Sequence, residues 1–466
     1  MKDIFDDIPN KKVCVLGMGI SNRPLIKFLY TKGARKIWVL DKSGSEETKA
    51  KAVALKKEGV DFTSCFGENY LDTLKEERFD IVFKTPVVRY DLPELIYAKE
   101  QGAVITSEME VFLNLCPAKI YAVTGSDGKT TTTTLIYKFL DGYCKQNGGK
   151  AWVGGNIGTP LLPYIDKIKP EDYVIVELSS FQLMNMKAKT DVSVITNISP
   201  NHLDVHKSYE EYIEAKKNIF LYGDKDSITV LNQDNSVTGA MGEEVPGRVR
   251  WFSRRQEVSP GVYMKDNALW GASGKILDRS DILLPGDHNA ENYMAAICAV
   301  MDTVPADIIL EVARTFGGVE HRLELIRELN GVKYYNSSID SSPNRTLNAL
   351  SVFERNVVLI AGGKDKKIPY DALGPALADK VRTLILTGPT AGKIEQAARE
   401  EFMRRGQDFT IEVHHANTYE EAVEAAYQAA RPGDTVLLSP ASTSFDMFRN
   451  FEERGNKFKQ LVRGLK

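Results

Sequence analysis

One continuous segment constrains the fold most: the apolar run Ile120–Val123, then T-G-S-D-G-K-T-T at Thr124–Thr131, then a helical pattern. A strand that turns through glycines straight into a helix belongs to layered α/β architectures with a largely parallel sheet. Gly125 and Gly128 let the backbone turn tightly and aim N–H groups, including those of Ser126 and Asp127, at phosphate oxygens. The helix N-terminus adds partial positive charge. Lys129 can neutralise the β- and γ-phosphates, and the hydroxyls of Thr130 and Thr131 follow, Thr130 as a Mg²⁺ ligand. The spacing departs from G-x-x-x-x-G-K-[ST], because Val123 stands at the first glycine position. The plainer reading is a glycine-rich turn with a surface lysine. Against it stands Thr130–Thr134, an unbroken threonine run opening a helix. Threonine costs roughly a few tenths of a kcal/mol there relative to alanine, and a local rule broken at one spot tends to mark function.

At 466 residues the chain exceeds what one core usually organises. Three regions differ in texture. Residues 1–115 alternate short strands with helical patterns: V-C-V-L-G, a helix from about Arg23, K-I-W-V-L-D ending at Asp41, and I-V-F-K-T-P near Ile81. Residues 116–320 again alternate, but between about Asp226 and Asp287 short strands are punctuated by Gly, Asp, Asn and Ser. This predicts a small antiparallel sheet attached to the central domain, closed by a helix over Ala290–Met301. Residues 321–466 predict strands at Lys333–Tyr335, Val357–Ala361, Thr383–Thr387, Thr410–His414 and Thr435–Leu438. The expected fold is α/β in three domains: a Rossmann-like N-terminal domain, a central P-loop ATPase-type domain, and a C-terminal doubly wound domain. Sites are expected in the crevices at strand C-terminal ends.

Composition sets exclusions. A net charge of -3 gives no electrostatic footprint for nucleic acid or an anionic membrane. No apolar run approaches the roughly 18–20 residues of a membrane span. The opening M-K-D-I-F-D-D-I-P-N lacks the charged-then-apolar order of a secretory leader. Five widely spaced cysteines without C-x-x-C read as free thiols in a reducing compartment, so a cytoplasmic protein is expected.

Glu177 ends the strand Tyr173–Val176, where a carboxylate beside a phosphate loop is well placed to hold Mg²⁺; the alternative is a solvated strand-end glutamate. The loop N-I-S-P-N-H-L-D brings His202 and Asp204 to the same end, and oxygen-preferring chemistry alone favours Asp204 as the ligand. A capping box S-Y-E-E at Ser208–Glu211 predicts a helix with the apolar stripe Tyr209, Tyr212, Ile213, Ile219 and Phe220. Lys216 falls on that stripe and Lys217 off it. Lys216 either snorkels to solvent or needs a partner or a chemical change to remove the cost of burial.

These motifs, in this order, resemble the Mur ligase family, the amide-forming peptidoglycan synthetases related to folylpolyglutamate synthetase. The resemblance spans essentially the whole chain: G-S-D-G-K-T-T, G-G-N-I-G at Gly154–Gly158, E-L-S-S-F-Q-L, the N-H-L-D loop, Y-I-E-A-K at Tyr212–Lys216, D-H-N-A-E-N at Asp287–Asn292, and H-R-L-E at His321–Glu324. It implies ATP as co-substrate and two Mg²⁺ ions held by Thr130, Glu177, His202 and a carbamylated Lys216. Asn292 would contact adenine and Arg322 the γ-phosphate. The segment Leu438–Gly455 resembles the D-glutamate-adding branch, which implies that Lys366, Ser444, Phe445 and Phe451 bind D-glutamate. Helix packing is the alternative for Phe448 and Phe451. For the acceptor, UDP-N-acetylmuramoyl-L-alanine, the candidates are Gly19, Ile20, Ser21, Asp41, Asn156 and Ser179. The G-M-G at Gly17–Gly19 lacks the third glycine of a dinucleotide fingerprint, having Asn22 there.

Two departures stand out: N-S-S-I-D-S-S-P at Asn336–Pro343, where many members have N-D-S-K-A-T-N, and T-P-V-V at Thr85–Val88 in place of S-P-G-I. A monomer is expected. Other amide ligases of the superfamily, a kinase or switch ATPase, and an NAD-dependent oxidoreductase are the competing classes.

Overall fold

The computed structural model describes residues 7–200, 205–366 and 368–466. The first sheet contains β1 (Lys12–Leu16), β2 (Lys36–Asp41), β3 (Thr63–Phe66), β4 (Ile81–Phe83) and β5 (Val104–Thr106). All pairs are parallel, in the order β3-β2-β1-β4-β5. The order reverses between β1 and β4, so the loops leaving these two strands flank the crevice where such sheets bind ligands. Both faces are covered: Val13, Val15 and Val39 pack on one side, Cys14, Leu16 and Leu40 on the other. That explains strands that read as continuous apolar runs rather than alternating ones.

The central sheet is built from β6 (Lys119–Thr124), β7 (Ala151–Gly155), β8 (Tyr173–Glu177), β9 (Val192–Ile195), β10 (Ile228–Asn232), β11 (Arg248–Ser253), β12 (Gly261–Lys265), β13 (Ala268–Gly271) and β14 (Gly274–Asp278). Its order is β14-β13-β12-β11-β10-β9-β6-β8-β7. The antiparallel strands expected between Asp226 and Asp287 are present only as β12-β13-β14. They are not a free-standing sheet: β10 and β11 run parallel and join them edge to edge with β9. Short strands and turn residues mark the connections but do not reveal strand direction. The closing helix covers Asp287–Val300.

The third sheet, β15 (Glu324–Leu329), β16 (Val332–Asn336), β17 (Val357–Gly362), β18 (Val381–Thr387), β19 (Glu412–Ala416) and β20 (Thr435–Leu438), has the order β15-β16-β20-β17-β18-β19. Only the β15-β16 pair is antiparallel. Strand β15 is missing from the sequence expectation because E-L-I-R-E-L carries charge and is only partly buried. By contacts the chain divides into two compact units, one of residues 1–279 and 290–312, the other of 280–289 and 313–466.

Candidate active site

The segment Thr124–Thr131 leaves β6 and enters a helix, Lys129–Asn147. Gly125 and Gly128 adopt positive φ, +151° and +76°. A Cβ on Gly125 would lie 1.9 Å from Thr196 Oγ1, and one on Gly128 2.2 Å from Asn292 Oδ1. Only glycine fits at either point. The Lys129 ammonium curls over the loop and donates to the carbonyls of Gly125 (3.0 Å) and Ser126 (2.8 Å).

The loop is braced from below. Ser126 N donates to Asn197 O (2.9 Å), Asp127 N to Asn197 Oδ1 (3.0 Å), and Ser126 Oγ to Ser199 O (3.0 Å). The threonine run has a physical reason. Thr133 and Thr134 return their hydroxyls to the carbonyls of Lys129 and Thr130, and Thr132 donates to Asn292 Oδ1 at 3.3 Å. Small β-branched residues let the helix start pack closely against the helix carrying Asn292.

Glu177 at the end of β8 is buried. Its Oε1 accepts from Asn156 Nδ2 at 2.9 Å, and its Oε2 has no hydrogen-bond partner. An anionic oxygen kept from both water and donors is a fit for a hard cation. Lys216 is 1% exposed. Its Nζ lies beneath the phosphate loop, donating to Gly125 O (2.8 Å) and Thr124 Oγ1 (3.2 Å), and sits 4.7 Å from the Tyr212 ring centre. Burial, reinforced by the nearby Lys129 charge, pushes the Lys216 amine well below the usual lysine range, against the pull of Glu177 and Asp127. As an ammonium Lys216 cannot ligate a metal; as a carbamate it could. Among the described residues no three His, Cys, Asp or Glu side chains cluster as a metal site. His202 and Asp204 lie outside the described residues.

The expected helix spans Tyr209–Lys217, with Ser208 Oγ accepting from Glu211 N at 3.2 Å. Half of the expected capping box forms. The Glu211 carboxylate takes the Lys207 N–H instead (2.7 Å), along with an arginine described below. Lys217 points off the stripe to Glu214 and Glu244.

In the first sheet, Gly17 (φ +95°) leaves β1 toward Gly19 and Ile20; Ile20 is 74% exposed at the crevice. Ser21 precedes the helix Asn22–Thr31. Asn22 replaces the third glycine because its buried amide donates to Leu16 O (2.6 Å) and Gly17 O (3.1 Å). Asp41 accepts from the N–H groups of Met18 and Ser43, so both carboxylate oxygens shape the loop. Ser179 caps the short helix Ser180–Leu183 in a reciprocal box with Gln182.

In the second unit, Arg322 is flanked by His321 (φ +62°) and Leu323 (φ +43°), two non-glycine residues in the left-handed region. Such conformations store strain and concentrate at functional segments. Lys364 N donates to Thr443 O at 2.9 Å, which brings the segments of Lys366 and Ser444 side by side. Lys366 is exposed and Ser444 buried, while Phe445 is 60% exposed. Phe448 packs edge-on against Tyr419 at 4.9 Å, and Phe451 edge-on against His321 at 6.0 Å. Asn197, Tyr212, Asp340 and Arg454 all lie inside motifs quoted above without a role assigned to them, Tyr212 being placed on the apolar stripe.

A family model for the Mur ligase middle domain matches residues 123–300, and one for the Mur ligase glutamate ligase domain matches residues 321–442. The chain belongs to the Mur ligase family, whose members use ATP. It is 54% identical to the UDP-N-acetylmuramoylalanine–D-glutamate ligase of Acetivibrio thermocellus, over 100% of this chain and 99% of that one. It is 51% identical to the ligase of the same name from Ruminiclostridium cellulolyticum, over 99% and 98%. Among solved structures it resembles MurF from Acinetobacter baumannii (TM-score 0.57, 14% identity, covering 98% and 95%). It also resembles the UDP-N-acetylmuramate-alanine ligase of Thermotoga maritima (TM-score 0.56, 18% identity, covering 98% and 100%). At that identity these neighbours establish the fold. No helix among the described residues is long and apolar enough to cross a membrane.

Proposed function

We propose that the chain joins D-glutamate to UDP-N-acetylmuramoyl-L-alanine, coupled to cleavage of ATP to ADP and phosphate. The observation that carries the chemistry is Lys216, buried under the phosphate loop with its Nζ 2.8 Å from Gly125 O, in the electrostatic field of Glu177. The choice of amino acid rests on the name borne by relatives that are half identical over the full chain.

In this reading residues 1–115 hold the UDP moiety with Gly19, Ile20, Ser21 and Asp41, joined by Asn156 and Ser179. Residues 116–320 hold ATP, and residues 321–466 hold D-glutamate with Lys366, Ser444, Phe445 and Phe451. The acceptor carboxylate attacks the γ-phosphorus, ADP departs, and an acyl phosphate forms. The amine of D-glutamate then attacks the acyl carbon and releases phosphate. Both first reactants are anionic, so positive charge and positioning dominate and no protein nucleophile is needed. Lys129 and the backbone N–H groups of Gly125–Thr131 offset charge on the phosphates, Asn292 meets adenine, and Arg322 adds its guanidinium at the γ-phosphate.

Thr130, Glu177, His202 and Lys216 would hold two Mg²⁺ ions, which supply Lewis-acid stabilisation of phosphoryl oxygens. For Lys216 this requires a carbamate: the neutral amine that burial favours adds to the carbon of CO₂, and one proton leaves. Phosphate release should depend on both the UDP-linked acceptor and D-glutamate, with other amino acids silent in a screen. ATP turnover indifferent to either substrate would refute the ligase reading.

A further inference from the structure

Beyond the residues assigned to substrates or metal, the first unit contains an arginine whose every donor is engaged. Arg89 lies in the loop that leaves β4 after T-P-V-V. Its Nε and Nη2 donate to the two oxygens of Asp91 (2.9 and 3.0 Å). Nη2 and Nη1 also donate to the two oxygens of Glu211 (2.7 and 3.1 Å), and Nη1 reaches Val205 O at 3.0 Å. The side chains of Arg89, Asp91 and Glu211 are 18%, 23% and 22% exposed. Five contacts on five N–H groups, four to two carboxylates and one to a carbonyl, use the planar fork fully; a lysine could not replace it.

The partners matter more than the number of bonds. Asp91 belongs to the loop beside the β1/β4 crevice. Glu211 sits in the first turn of the helix that carries Lys216, and Val205 directly follows the N-H-L-D segment. From Glu211 contacts continue inward. His206 Nδ1 is 3.5 Å from Glu211 Oε2, its ring meets Tyr212 edge-on at 5.2 Å, and Tyr212 OH is 2.9 Å from Ser126 Oγ in the phosphate loop.

We propose that Arg89 is a positioning residue that locks the loop beside the UDP crevice to the helix start carrying Lys216, so that acceptor and phosphate loop are aligned for attack. The inference rests on the ligase reading above. It locates the effect of Arg89 in turnover rather than in ATP binding, because no Arg89 contact touches the phosphate loop directly.

The test is steady-state kinetics of D-glutamate-dependent phosphate release on the full chain. Arg89→Met should lower kcat about 100-fold, the scale expected when reacting groups are misplaced by about an ångström. The KM for ATP should stay within about twofold. Arg89→Lys should recover only a small part of the loss. Glu211→Gln should lower kcat as well, and the double variant should be little worse than Arg89→Met, since the two act through one contact. If Arg89→Met does not fold, Arg89→Lys and Glu211→Gln carry the same comparison. A variant with wild-type kcat and merely a lower melting temperature, or losses that multiply independently, would overturn the inference. A wild-type chain without D-glutamate-dependent release would overturn the ligase reading first and this inference with it.

Discussion

Among the described residues, the deepest buried cations are Lys216 in the first compact unit and Arg454 in the second, both 1% exposed. Both donate to neutral acceptors, but they differ in how many and in the charges around them. Arg454 donates Nε to Ser338 Oγ (3.0 Å), Nη2 to Ser338 O (2.7 Å) and Nη1 to Ser442 O (3.0 Å). Burial lowers its pKa, while Tyr419, Asp446 and Asp340 pull the other way. Lys216 has only two neutral acceptors, and the repulsion of Lys129 opposes the pull of Glu177 and Asp127. A guanidinium stays protonated and rewards a fixed fork of acceptors, so Arg454 is suited to fastening the loop after β16 to the helix Phe451–Gly464. An amine is the choice where the charge itself must change. The difference separates a structural charge from a chemical one at equal burial.

Swapping chemistry at the two positions tests that separation. Lys216→Arg should lower D-glutamate-dependent phosphate release by about 10³-fold, roughly 4 kcal/mol of barrier, because a guanidinium cannot take up CO₂. Short carboxylates should partly restore Lys216→Ala for the complementary reason, and activity near wild type in the arginine variant would erase the distinction. Arg454→Met should cost about 3 kcal/mol in urea unfolding, since it strips donors from the buried carbonyls of Ser338 and Ser442. A loss under about 1 kcal/mol would reduce Arg454 to an ordinary surface-type contact.

Asp340 gives a third, smaller effect. Burial raises its carboxyl to about 6, opposed by hydrogen bonds from Ser337 and Ser439 and by the charges of Arg322 and Arg345. The folded chain therefore holds a proton that the unfolded chain releases near pH 4. Between about pH 4 and 6 the unfolded state binds fewer protons, so this contribution to stability is full below that window and lost as pH rises through it. Asp340→Asn should remove the slope and stand above wild type at neutral pH; an unchanged slope would contradict the assignment. Arg454→Lys should show the least, about 1 kcal/mol, because one ammonium can keep part of the fork's bonds.

Much of this was legible from the sequence because local chemistry announced it. Glycines that tolerate no side chain, a strand ending in Glu177 and a lysine on an apolar stripe all follow from rules within a few residues. Strand direction in β10–β12 was not legible, since turn residues mark where a connection lies and not whether it returns the chain antiparallel or crosses over to a parallel partner. Nor was the bracing of the phosphate loop by Asn197, 70 residues on from Asp127. Tyr212 was assigned to the core from its spacing, and only the fold shows that its hydroxyl reaches Ser126. The N-S-S-I-D-S-S-P segment signalled a departure from pattern, but not that Ser338 would dock Arg454 or that Asp340 would be sealed against Ser439 (2.8 Å).

The continuity of the central sheet governs how the chain can be shortened. Because β10 pairs with β9, excising residues 226–286 would not remove an appendage. It would uncover the backbone of Val192–Ile195, a fully buried strand immediately before the Thr196 and Asn197 that brace the phosphate loop. A bare, formerly buried edge recruits other chains, so fragments cut there should precipitate. Any crystallisation or screening version of the protein has to retain β10–β14 even if only nucleotide binding is wanted.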